Sequence, residues 1–83
     1  MKPKTKLSFK EQRELSELPD RIEALEAERD ALIAALNDPA FQLKRDDREI
    51  HEANDRLAEV ERQLDQAYER WHALEELAAR LEG

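Results

Sequence analysis

Asn37-Asp38-Pro39 separates two apolar stripes, and the reading of this break decides the fold. Before it, Leu15, Leu18, Ile22, Leu25, Arg29, Leu32 and Leu36 recur in alternating steps of three and four. After it, Ile50, Ala53, Leu57, Val60, Leu64, Ala67, Trp71, Leu74, Ala78 and Leu81 do the same. Such steps keep side chains on one face of a helix and form the seam of a left-handed coiled coil. One short break between two matched seams predicts that the chain folds back on itself. The expected fold is all-α: an intramolecular antiparallel two-helix coiled-coil hairpin.

The register follows from the spacing. Pairing Leu36 with Ile50 sets Leu25 against Val60 or Glu61, Ile22 against Leu64 and Leu15 against Trp71. Phe9 then falls near Leu77 and Ala78. Both arms stay apolar at every step except Arg29. Its stem is expected to pack and its head to reach an acid on the other arm, such as Asp55 or Glu61; a ligand contact is the alternative. A parallel homodimer of long helices is the rival architecture. The Pro39 break argues against it and for a monomer.

Working outward, Ser8-Phe9-Lys10-Glu11 has the pattern of a capping box and predicts a helix from Phe9 through Leu36. Pro19 lies inside it, has no amide to donate to Leu15, and crowds that carbonyl. A kink or a turn of tighter helix is expected at residues 15–19, giving a proline-distorted first helix. Asn37 is expected to close this helix in the left-handed conformation. Asp38-Pro39 then caps a short turn through Phe41, and Phe41 and Leu43 fold over the end of the seam. Asp46, with Glu49 three residues later, restarts a helix that runs to about Leu81. Glu17–Arg21, Glu52–Arg56 and Glu76–Arg80 have the favourable i, i+4 order. Residues 1–7 read as a basic linker or arm and residues 8–83 as the hairpin domain.

Composition narrows the functional classes. The chain has 83 residues, 42% of them charged and 5% aromatic, with no cysteine and one glycine, Gly83. One small domain with a seam and no enclosed interior fits these values. Thiol chemistry is absent, and a glycine-rich phosphate loop has no residues to form it. No run of apolar residues is long enough to span a bilayer, and Met1-Lys2-Pro3-Lys4-Thr5-Lys6 lacks a signal-peptide core. A cytoplasmic location is the default expectation, without membrane contact.

No nucleophile–base–acid set stands out. Ser8 reads as a cap and Ser16 as a surface position. His51 and His72 are too far apart on one helix to share a metal, and no metal site is expected. Trp71 reads as core filling the space beside Pro19, with base stacking as the alternative. Tyr68 lies one step off the seam with its ring edge exposed.

The net charge of −7 hides an asymmetry. Residues 1–10 hold four lysines and no acid; residues 11–83 hold ten basic and 21 acidic groups. Lys2, Lys4, Lys6, Lys10 and Arg13 cluster at the open end of the expected hairpin. Lys44, Arg45 and Arg48 cluster at its closed tip. Phosphate contact and simple solubility both fit these clusters. The acidic flanks restrict polyanion contact to the ends.

The run Lys6-Leu7-Ser8-Phe9-Lys10-Glu11-Gln12-Arg13-Glu14-Leu15, then Leu18-Pro19 and Arg21-Ile22-Glu23-Ala24-Leu25-Glu26, resembles the C-terminal domain of the Uup branch of the ABC-F ATPases. Asp38-Pro39 with Phe41, and Tyr68-Glu69-Arg70-Trp71 with Leu74-Glu75, continue the likeness, which spans residues 4–81. The family usually has tyrosine where this chain has Phe9, so any role of that hydroxyl is lost. The resemblance implies a coiled-coil hairpin with a tight-helix segment at Pro19, acting as a DNA-binding element behind two ATP-binding cassettes. It also implies a cytoplasmic parent linked to ribosomes and DNA. ATP and Mg would belong to the parent; this chain carries no catalytic motif and no cofactor site. The expectation is sequence-independent phosphate contact with DNA. The alternative is a protein-interaction arm docking on the ribosome or on the parent ATPase domains.

Overall fold

The computed structural model describes residues 7–44 and 46–82. Three helices follow one another: α1 (Phe9–Asn37), α2 (Pro39–Lys44) and α3 (Asp47–Glu82). The two long helices pack side by side in a rod of 64 × 16 × 16 Å. The chain is an all-α antiparallel hairpin.

The seam residues carry the packing. Leu18, Ile22 and Leu25 of α1 are buried against Val60, Leu64, Ala67 and Leu74 of α3. Leu15, Leu32, Tyr68 and Trp71 pack around this cluster, half-buried. Every residue of both stripes, from Leu15 to Leu36 and from Ile50 to Leu81, is buried or half-buried. Val60 and Leu74 are almost wholly withdrawn from water, at 0% and 1% exposure. Side chains of this kind contribute about 1.5–3 kcal/mol each on burial. Apolar burial along one line therefore holds the fold, since the cross-section has no room for a second layer.

Local chemistry fixes the ends. Ser8 is extended at φ −62°, ψ 161°. Its hydroxyl accepts from the Glu11 amide at 3.1 Å, and Glu11 Oε1 accepts from the Ser8 amide at 2.9 Å. The expected capping box is formed. At the other end of α1, Asn37 stays helical, and no non-glycine residue described has positive φ. The expected left-handed Asn37 is corrected: Asp38 closes the helix in an extended conformation, φ −79°, ψ 119°. Asp38 Oδ1 accepts from the Ala40 amide at 2.9 Å, and its carbonyl from Phe41 at 3.0 Å. One aspartate thus ends α1 and starts α2, so no residue needs the left-handed region. Pro39 takes the first helical position, where its missing amide costs nothing. Asp46 Oδ1 accepts from the Glu49 amide at 2.8 Å and starts α3 as expected.

Several expectations are corrected in the packing. α1 is α-helical on both sides of Pro19, so residues 15–19 form no turn of tighter helix. Leu18 and Ile22 are both buried on α3, and that packing holds the α-helical phase across the proline. Phe9 is 82% exposed instead of lying on Leu77 and Ala78. Stepping back from Leu15 by four and three leads to Glu11 and Ser8, so Phe9 is off the seam; Leu7 is the residue buried at this end. Phe41 is half-buried but Leu43 is 85% exposed. Two residues apart on one short helix, they cannot face the same way.

Candidate nucleic-acid interface

Charged side chains arrange themselves around the seam in two ways. Along the flanks they lock the arms together. Arg56 Nε and Nη2 donate to Glu28 at 2.6 and 2.8 Å, and Arg70 Nε and Nη2 donate to Glu14 at 2.7 and 3.0 Å. Tyr68 Oη donates to Glu26 Oε2 at 2.6 Å. Both forks are bidentate, the strongest geometry open to a guanidinium and a carboxylate. The arginine hydrogen bonds hold the Glu14 and Glu28 carboxyls below their ordinary range. Glu59 is lowered by Arg62 and then by Gln63 on its own helix. The bond to Glu26, followed by desolvation, pushes the Tyr68 phenol up.

These partners were not all legible in the spacing. Glu52 is taken by Arg48 at 3.2 Å, which frees Arg56 to cross to Glu28. Glu17 is taken by Arg13 at 3.1 Å. Arg29 does not reach Asp55 or Glu61; its Nε donates to the adjacent Asp30 at 3.1 Å. The guanidinium leaves the half-buried seam on its own side because an acid is available one residue away.

At the ends of the rod the pattern differs. Among the described residues, Lys10, Arg21, Lys44 and Arg80 form no ion pair, whereas Arg13, Arg29, Arg48, Arg56, Arg62 and Arg70 each hold a carboxylate. Lys10 and Arg13 stand in the first turns of α1, at the open end. Lys44 and Arg48 flank the α2–α3 junction at the closed tip. The rod's length separates these groups, so they form two sites and not one. Lys2, Lys4, Lys6 and Arg45 lie outside the described residues. Arg80 joins the open end from the last turn of α3. The i, i+4 rule had assigned it to Glu76, and that assignment hid it.

Arg21 faces the shallow groove between the arms, about 450 Å³, floored by Leu18 and Ala67 and edged by Gln63 and Gln66. His51 Nε2 lies 3.5 Å from Asp55 Oδ2. The described residues contain no cluster of three metal-ligating groups, and none of their helices is long and apolar enough to cross a membrane.

The rod thus carries two ion-paired forks across its flanks and, among the described residues, cations without ion pairs at both ends. The chain belongs to the ABC transporter C-terminal domain family, whose model matches residues 6–76. Within that family its likeness is to the Uup type. It is 42% identical over 87 residues to the ATP-binding protein Uup of Haemophilus influenzae, a match covering 99% of this chain and 13% of the relative. It is 44% identical over 80 residues to the Uup-like ATP-binding protein of the same organism, covering 90% and 16%. Against Escherichia coli Uup it is 40% identical over 73 residues, covering 88% and 11%. The chain therefore spans well under a fifth of the length of these relatives. No solved structure matches it significantly.

Proposed function

We propose that this chain is the DNA-binding tail of an ATP-hydrolysing parent of the ABC-F type, and that it contacts DNA phosphates without reading sequence. The supporting observation is the division of its cations. The flank arginines Arg29, Arg56, Arg62 and Arg70 are held in ion pairs and only Arg21 between them is not, while among the described residues Lys10, Lys44 and Arg80 at the ends form none. A phosphate arriving at either end meets cations that need not give up a carboxylate. One arriving along the side meets the acidic flanks. The hairpin would set the distance between the bound DNA and the ATP-binding body, whose residues would supply the ATP and Mg chemistry.

The second reading is an arm that docks on the ribosome or on the parent's own ATPase domains. The net charge of −7 and the exposed Leu43 at the tip favour it.

A salt titration with duplex DNA separates the two. Phosphate contact predicts affinity that falls several-fold or more as salt is raised from about 50 to about 200 mM. Neutralising Lys2, Lys4, Lys6 and Lys10 together should weaken binding strongly and flatten the salt slope. An unchanged affinity in that variant defeats the proposal for the open end. Absence of binding at low salt passes the case to the docking arm.

A further inference from the structure

Phe9 is the most exposed phenylalanine, tyrosine or tryptophan among the described residues. Phe41, Tyr68 and Trp71 are all half-buried, whereas Phe9 is 82% exposed. Its exposure follows from the helical phase, which sends the seam through Glu11 and Ser8 and buries Leu7 instead.

The ring is presented on a fixed backbone. Phe9 is the first residue of α1, directly after Ser8. Both bonds of the capping box hold this turn, at 2.9 and 3.1 Å. The Gln12 amide donates to the Ser8 carbonyl at 2.9 Å, and Gln12 Nε2 to the Leu7 carbonyl at 2.9 Å. Four hydrogen bonds therefore tie the helix start on either side of Phe9. A ring on such a base is ready for a partner without loss of backbone freedom on binding.

Its neighbours are cationic. Lys10 follows it and, among the described residues, forms no ion pair. Arg13 lies one turn on, on the face that Phe9 shares. Its bond to Glu17 joins two exposed side chains, 70% and 65% in solvent, and such a pair exchanges readily for another anion. The nearby acids are already engaged: Glu11 in the capping box, Glu14 by Arg70 and Glu17 by Arg13.

A phenyl ring has no hydrogen-bonding group and suits an apolar or aromatic face, and the cations beside it favour a ligand that joins such a face to negative charge. In a closed duplex the base faces are stacked on one another. An unpaired base offers its face freely, and its own phosphates lie within reach of flanking cations. We infer that the open end of the hairpin holds an unpaired nucleotide of a DNA strand, with the base stacked on Phe9 and the adjacent phosphates on Lys10 and Arg13. The inference rests on the DNA-binding reading and sharpens it: the preferred ligand is single-stranded DNA or a frayed or overhanging end, not uniform duplex.

The test uses the 83-residue chain with three labelled probes: a blunt duplex, the same duplex with a thymine overhang, and the thymine strand alone. Affinity is read by fluorescence anisotropy at low salt. The wild type should prefer the overhang and the strand. Phe9→Leu keeps an apolar side chain at an exposed position and should leave the helical circular dichroism unchanged. It should weaken binding of the overhang and the strand roughly tenfold, as loss of one stacked base would, while blunt-duplex affinity changes little. Phe9→Trp in a Trp71→Phe background should show indole emission quenched by the strand. If Phe9→Leu weakens no probe, or weakens all three equally, the stacking site is wrong. If the wild type binds all three alike and loses them when the lysines are neutralised, phosphate contact stands and stacking falls. If it binds none, both readings fall together.

Discussion

Arg70 and Glu14, 56 positions apart in sequence, form a two-pronged bond at 2.7 and 3.0 Å across the hairpin. Glu28 lies 14 residues after Glu14, and Arg56 lies 14 residues before Arg70. Two heptads forward on one arm match two heptads backward on the other. The pairs therefore report an antiparallel register independently of the apolar seam. The position midway between them holds Arg21 and Gln63, which do not pair, and the groove lies there.

That ladder makes charge reversal a direct test of register. Glu14→Arg and Arg70→Glu should each lower the melting temperature, because each sets like charges face to face. The double variant should recover most of the loss. Melting curves from the four chains give the coupling; additive losses would place these residues apart.

The pH dependence follows from the same bonds. Glu14 and Glu28 titrate below the ordinary carboxylate range when folded, chiefly through their arginine hydrogen bonds. A depressed acid binds its proton less readily in the folded state than in the unfolded one. Its stabilisation is complete above the ordinary carboxylate range and is lost as pH falls through the lowered folded values. Melting temperature should therefore fall below about pH 4.5, and Glu14→Gln with Glu28→Gln should shrink that fall.

Tyr68 runs in the opposite sense. Its pKa is raised from 10.0 by the bond to Glu26. Its contribution is complete below pH 10 and disappears as pH rises through the higher folded value. Tyr68→Phe should lower stability at neutral pH and remove this alkaline loss, which a melting series across that range would show.

Leu74 is 1% exposed near the open end. Leu74→Ala should cost about 2–5 kcal/mol, read from urea unfolding at the helical dichroism band. A rod that buries one line of side chains has little reserve, so this variant should be substantially unfolded at room temperature.

Pro19→Ala should stabilise. The helix is α-helical on both sides of the proline, so alanine restores an amide for the Leu15 carbonyl. A cost of about 3 kcal/mol for interior proline is partly offset by up to about 1 kcal/mol from its stiffening of the unfolded chain. A gain of about 2 kcal/mol is expected; a loss would mean that Pro19 shapes a local geometry the fold requires.

The seam was legible because apolar burial obeys the helical period, and every residue of both stripes is buried or half-buried. The capping box and the Asp46 start were legible because they depend on residues within one turn. Phe9 was misplaced when its apolar character was weighted above its phase. Asn37 was misassigned because left-handed propensity marks where a helix is able to end, whereas Asp38 offered an extended ending and a cap for the next helix.

The ion pairs show where sequence reasoning stops. Glu52 had two arginines at helical spacing, Arg48 and Arg56, and the spacing favoured Arg56. The fold gave Glu52 to Arg48 because Glu28 on the other arm was available to Arg56. The sequence by itself determined two helices and their reversal, since these follow from a period repeated over many residues. The tertiary structure alone decided which charges lock the arms and which stay free at the ends. Long flexible side chains choose among several partners at similar cost, and only the position of the opposite helix breaks the tie.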